Sequence, residues 1–253
     1  MMELSRNIKS LLQVFLILIF GIFFNSCKKS SPLDCFKSTG DDIIETRTTG
    51  KFNKIILYDN VNLVITQDDN TSIQIKAGNK IIKKVTTRIS DNTLTIENTN
   101  TCNWMRSFDR EIIAYVNVKE LLEIEYRSSG DISSTNAITG DSLILNVWEG
   151  AGRVDLIIDI HRNYINFHIG TADIYYSGRT HLSYITAASF GPVDASELST
   201  VFTYIANKGS NICKVNVGLR LEATITSIGN IYYQGNPEVL LKDSGDGELI
   251  KID

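Results

Sequence analysis

From residue 130 to the C-terminus one order of small, polar and apolar positions returns at nearly constant spacing. The phrases are Gly130-Asp131-Ile132, Gly152-Arg153-Val154, Ala172-Asp173-Ile174, Gly191-Pro192-Val193, Ser210-Asn211-Ile212, Gly229-Asn230-Ile231 and Gly247-Glu248-Leu249. Their apolar members step by 22, 20, 19, 19, 19 and 18 residues, a drifting period of about 20 that belongs to a solenoid, where each repeat packs only on its neighbours. Between the phrases runs a second series of short strands: Leu143 to Val147, Ile165 to Ile169, Ser183 to Ala187, Phe202 to Ala206, Arg220 to Thr226 and Val239 to Lys242. That is the strand content of one coil per repeat. The pattern therefore predicts an all-β chain, a right-handed parallel β-helix (β-solenoid) with coils of about 20 residues, whose equivalent residues stack about 4.8 Å apart. Ile132, Val154, Ile174, Val193, Ile212, Ile231 and Leu249 should form one inward apolar ladder. The small residue ahead of each marks a corner where positive φ or close backbone approach leaves no room for a Cβ branch.

A direct echo fixes the register: Asp173-Ile174-Tyr175-Tyr176-Ser177-Gly178 returns as Asn230-Ile231-Tyr232-Tyr233-Gln234-Gly235, 57 residues later. A sandwich of antiparallel hairpins would supply frequent turns but no reason for one phrase to keep its phase. Upstream, alternating runs predict strands at Lys54 to Leu57, Asn62 to Gln67, Ser72 to Ala77, Val85 to Ile89, Leu94 to Glu97, Glu111 to Asn117 and Leu122 to Tyr126. Turn-tolerant residues such as Asp68-Asp69-Asn70 and Asp91-Asn92 separate them. Residues 46–127 are read as the N-terminal β part and 128–253 as the repetitive part of one domain.

The N-terminus carries an address. Arg6 and Lys9 precede an apolar run from Leu11 to Phe24, too short for a spanning helix of about 20 residues, and Asn25-Ser26-Cys27 follows. This resembles a bacterial lipoprotein signal, which makes residues 1–26 a signal peptide, Cys27 the acylated residue, and 27–45 a tether. The expected location is the cell envelope, as an outer-membrane lipoprotein held by its lipid, with the face of the membrane open. The full chain has 25 Lys+Arg against 29 Asp+Glu. Loss of Glu3, Arg6 and Lys9 leaves 23 against 28, a charge of −5, and a mildly acidic surface argues against a nucleic-acid partner. Of the remaining cysteines, Cys35 and Cys102 lie in irregular polar segments and form the candidate disulfide, while Cys213 sits inside the repeat.

The segment Lys51 to Asn98, with Phe52-Asn53-Lys54-Ile55, Val61-Asn62-Leu63-Val64-Ile65 and Thr93-Leu94-Thr95-Ile96, precedes the serial Ser-Gly-Asp-Ile phrases. Together with Gly229-Asn230-Ile231 beside Gly235-Asn236-Pro237, it resembles the putative auto-transporter adhesin, head GIN domain family. The resemblance covers most of the mature chain. It implies a β-solenoid, export with a lipoprotein-like signal as in Bacteroidota, and an adhesive role, and it offers no catalytic residue to carry over.

The residues preceding the ladder, Asp131, Arg153 and Asp173, alternate in sign and should pair across coils, and Asn211 should stack with Asn230 as an amide ladder. Those following it, Asp155, Tyr175, Asp194, Cys213 and Tyr232 among them, should face outward. Asp155 and Asp194 fall two coils apart, about 9–10 Å, near the carboxylate separation of inverting glycosidases. Tyr175 and Tyr232, each followed by an inward Tyr176 or Tyr233, should lie about 14–15 Å apart on one face, where aromatic rings suit saccharide or protein contact. Tyr175, Tyr232, Asp155 and Asp194 thus form the candidate binding surface. His161, His168 and His181 are expected on the surface, and no metal-ligand spacing, phosphate loop or nucleophile elbow occurs. The expected function is non-catalytic: a rigid solenoid surface for adhesion or for a glycan or an envelope or host protein, with no metal or cofactor. The alternative is a carbohydrate-active β-helix enzyme, a hydrolase or lyase.

Overall fold

The computed structural model describes residues 38–100 and 111–252 of the chain; Cys27, Cys35 and Cys102 lie outside them. The strands in chain order are β1 (Asp42–Thr46), β2 (Lys54–Asp59), β3 (Val61–Gln67), β4 (Ser72–Gly78), β5 (Val85–Ser90), β6 (Thr93–Asn98), β7 (Ile112–Val118), β8 (Glu123–Ser128) and β9 (Ile132–Ser134). They continue as β10 (Ile138–Gly150), β11 (Arg153–Gly170), β12 (Asp173–Ala187), β13 (Val193–Asn207), β14 (Cys213–Ile225), β15 (Ile231–Gln234), β16 (Glu238–Ser244) and β17 (Leu249–Lys251). Strands β10 to β14 are long because pairing continues round the corners of each coil. Parallel ladders join β10 to β11, β11 to β12, β12 to β13 and β13 to β14. The expected solenoid is present.

It starts earlier than the visible repeat. β2 and β3 form a rung that pairs on one side with β8 and β9 and on the other with β6 and β7, so the ladder runs from Ala114 through Leu63 to Ile132. Antiparallel strands occupy this end: β1 lies along β4, β4 along β7, and β5 along β6. β1 shortens the expected tether, because residues 42–46 are a paired strand and not linker. Its burial alternates little, since it lies at the margin with no side packed into the core.

The core fills the coil interior, and the ladder runs Ile132, Val154, Ile174, Val193, Cys213, Ile231, Leu249. One rung corrects the sequence reading. Cys213 is fully buried in the ladder, whereas Ile212 points out with 46% of its surface exposed. Asn211, two residues before Cys213, holds the place that glycine or alanine takes in the other coils. It is buried and donates to the Gly191 carbonyl at 2.9 Å. Asn211 consequently forms no amide ladder with Asn230, whose side-chain oxygen accepts from the Glu248 amide instead.

The corner glycines are required by close approach. A Cβ on Gly191 would sit 1.9 Å from the Ala172 carbonyl oxygen of the preceding coil. Positive φ appears at the next corner, at Gly178 (φ +101°), where a Cβ would also lie 2.2 Å from the Ile158 oxygen.

Candidate functional site

The residue after each ladder position faces outward, and the parallel register stacks Ser133, Asp155, Tyr175, Asp194, Lys214 and Tyr232 into one column. The one-residue correction at Cys213 matters here, because it places Lys214 on the surface where the sequence reading had put the thiol. Lys214 Nζ donates to Asp194 Oδ2 at 2.9 Å. Asp194 Oδ1 accepts from the Ser196 hydroxyl at 2.5 Å and from its backbone amide at 3.1 Å. Burial alone would push the Asp194 carboxyl up; the Ser196 and Lys214 hydrogen bonds outweigh it and hold the group below the usual carboxylate range.

On the other side of Tyr175, Arg153 donates to Asp155 at 2.8 Å and lays its guanidinium 3.7 Å above the Tyr175 ring. The expected ion pairing of Arg153 with Asp131 and Asp173 is replaced by this in-strand pair. Arginine reaches two residues along its own strand, where side chains share a face, and keeps its flat side for the aromatic. Asp131 instead accepts from the Arg153 backbone amide at 2.8 Å.

Two breaks in register open a cleft beside this column. β12 and β13 slip between Tyr175 and Ser177, and β13 carries extra residues between Ala195 and Ser199 relative to β14. The cleft, about 280 Å³, is lined by Arg153, Asp155, Tyr175, Ser177, Asp194, Ser196 and Glu197, with Tyr176 at its base. Asp155, Tyr175 and Asp194 therefore line one cleft. Tyr232 does not join them: it lies beyond Lys214, and its hydroxyl is near Asn230. Tyr176 is buried as expected, while Tyr233 is half-buried and packs against the core edge.

A second aromatic array escaped the sequence reading. Tyr164, Tyr184 and Tyr204 stack with ring centroids 5.1 Å apart in each step. Trp148 lies 3.7 Å from His168, and His161 stacks 4.9 Å from His181. The three tyrosines recur at intervals of 20, the coil period, so the signal was in the sequence. Both faces of Tyr184 are taken up by its neighbours, while Tyr164 and Tyr204 each keep one face outside the stack. His161 and His181 are exposed as expected, but His168 is half-buried against Trp148, and burial lowers its imidazole from the ordinary value.

Among the described residues no group of three or more His, Cys, Asp or Glu side chains could hold a metal ion. None of their helices is long and apolar enough to cross a membrane.

The column, the cleft and the stacked coils are features of a surface-presenting β-solenoid. The chain belongs to the family described as putative auto-transporter adhesin, head GIN domain, whose model matches residues 51–237. Among solved structures it is similar to a putative adhesin from Bacteroides fragilis, at 21% identity and a TM-score of 0.76, covering 84% of this chain and 97% of that one. A putative adhesin from Parabacteroides merdae matches at 18% identity and TM-score 0.61, over 85% and 98% of the two chains. A putative lipid binding protein from Parabacteroides distasonis matches at 15% and 0.65, over 85% and 98%. At these identities the likeness concerns the fold. No curated protein matches the chain.

Proposed function

We propose that this chain is a non-catalytic lipoprotein of the cell envelope, tethered through Cys27, whose solenoid binds a saccharide in the cleft around Tyr175. The observation that carries the reading is the composition of that cleft. Planar hydrogen-bonding groups, Asp155, Arg153, Asp194 and Glu197, surround a phenol ring, which suits the hydroxyls and apolar faces of a sugar better than an apolar ligand. Membership of an adhesin family supports an envelope or extracellular setting.

The carboxylates argue for binding over turnover. A general acid needs a raised pKa, but Asp194 is held ionised by Ser196 and Lys214, and Asp155 is committed to Arg153. The test is a saccharide array read beside a reducing-end release assay. Tyr175→Ala should weaken binding of the selected glycan about tenfold, the effect of one lost aromatic contact, with the melting temperature nearly unchanged. Release of reducing ends by the parent, abolished by Asp155→Asn with Asp194→Asn, would overturn the reading and establish an enzyme.

A further inference from the structure

The two ends of the solenoid are built differently. Antiparallel strands occupy the N-terminal end, whereas at the other end β16 pairs with β14 and β17 with β15, and no further strand covers either among the described residues. Among the described residues the core columns gain no further rung there. Val239 and Leu241 continue the columns of Leu221 and Ala223, which are fully buried, yet they expose 39% and 41% of their surface. Solenoid ends of this kind require a cover.

The charges on the same strand indicate what the cover is. Glu238, Leu240 and Lys242 lie on the outer face of β16. Glu238 sits below Arg220, with Oε2 3.6 Å from its guanidinium, and Lys242 is ion-paired with Glu222. The open edge thus presents an acid at one end of a short apolar segment and a base at the other. Such a strand is complementary to itself when reversed.

We propose that two copies of this chain associate end to end through β16, antiparallel about a two-fold axis at Leu240, so that each Glu238 faces the partner's Lys242. Residue 239 then faces 241, and residues of equal parity meet, as antiparallel pairing requires. The ionic columns continue across the junction with alternating sign: Arg220 and Glu238, then the partner's Lys242 and Glu222. Val239 and Leu241 close the two cores against each other, and the contact is isologous, so it stops at two copies. Lys242 is also the extra residue in the register between the Leu241 and Asp243 pairs. A lysine at a bulge deters indiscriminate edge pairing, which leaves an acidic residue opposite it as the accepted match.

The test is sedimentation and light scattering of the full chain in detergent. The parent should dimerise at micromolar concentration. E238K and K242E should each weaken self-association at least tenfold, because the first strand then carries lysine at both positions and the second glutamate at both. Mixing these two variants should restore a heterodimer close to the parent in affinity. Circular dichroism melts serve as the fold control. If either single variant fails to fold, the E238K/K242E chain replaces it, and should self-associate but refuse the parent. A monomeric parent at ~100 µM, single variants that dimerise like the parent, or a mixture that stays monomeric would each overturn the proposal. So would protection of the 239–241 amides from exchange in a monomer, which would assign the cover to the chain itself.

Discussion

Cys213 occupies a place that hydrophobicity alone assigns to Ile212, and the difference is physical. Cysteine is a small buried apolar residue, and the extra length at this corner is taken up by Asn211, whose amide nitrogen donates to the Gly191 carbonyl. Sequence alone ranks isoleucine above cysteine and cannot see that hydrogen bond. Two outcomes follow for the thiol. Iodoacetamide should label Cys213 only in the unfolded protein, and Ile212→Asp should leave the melt almost unmoved while Cys213→Asp abolishes folding. Burial also pushes the Cys213 thiol up to about 12, and burial foremost does the same for the Tyr126 phenol, whose hydroxyl donates to Gly130 at 2.7 Å. Both groups are neutral when protonated. The unfolded chain therefore releases these protons first, near pH 8.5 and 10, and their contribution to stability is complete below those values and fades as pH rises toward 12. A series of melts from pH 8 to 11 should show this loss, and Cys213→Ala should make the early part of it shallower. A flat profile across that range would count against the burial of both groups.

At the scale of the coil, inward and outward alternation was legible in most strands with one buried side, the start of β14 at Cys213 being an exception. The runs read at 54–57, 62–67, 72–77 and 85–89 fall within β2 to β5 for that reason. β1 was not, because Asp42-Ile43-Ile44-Glu45-Thr46 has no buried face to impose a period of two. The rung of β2 and β3 was hidden differently: between it and β8 and β9 the chain passes through β4 to β7, of which β6 and β7 stack on its other side, so the interval of 20 is broken without breaking the stack. The candidate site was half legible. Column membership of Asp155, Tyr175 and Asp194 follows from the ladder, while the cleft depends on the slips at Tyr175 and Ala195, which leave no mark in composition. Ile174→Asp should cost several kcal/mol by putting an unpaired carboxylate among apolar columns, and Tyr175→Asp about 1 kcal/mol or less. Urea titration distinguishes them, and equal midpoints would reverse the inward and outward assignment. Gly178→Ala should be as damaging as a core change, since it meets both a positive φ and the Ile158 carbonyl.

The described residues form a one-dimensional stack with unlike ends, and its stability should vary along its length. Amide exchange is expected to be slowest in β11 to β13, which have a long parallel neighbour on each side, and fastest in β16 and β17 when the protein is dilute. For the proposed anchor, Cys27→Ala should abolish both fatty-acid labelling and detergent partitioning; persistence of the label would place the lipid elsewhere. The unlike ends also set how such a molecule bears load. Bonds between rungs run along the solenoid axis, so tension along that axis opens them in sequence, as a zipper opens. For a chain held at its N-terminal end and pulled by a ligand at Tyr175, the tension passes through the coils between the antiparallel strands and β12. The coils from β14 onward lie outside that path and stay slack, so they can keep their own contacts while the rest of the stack is under strain.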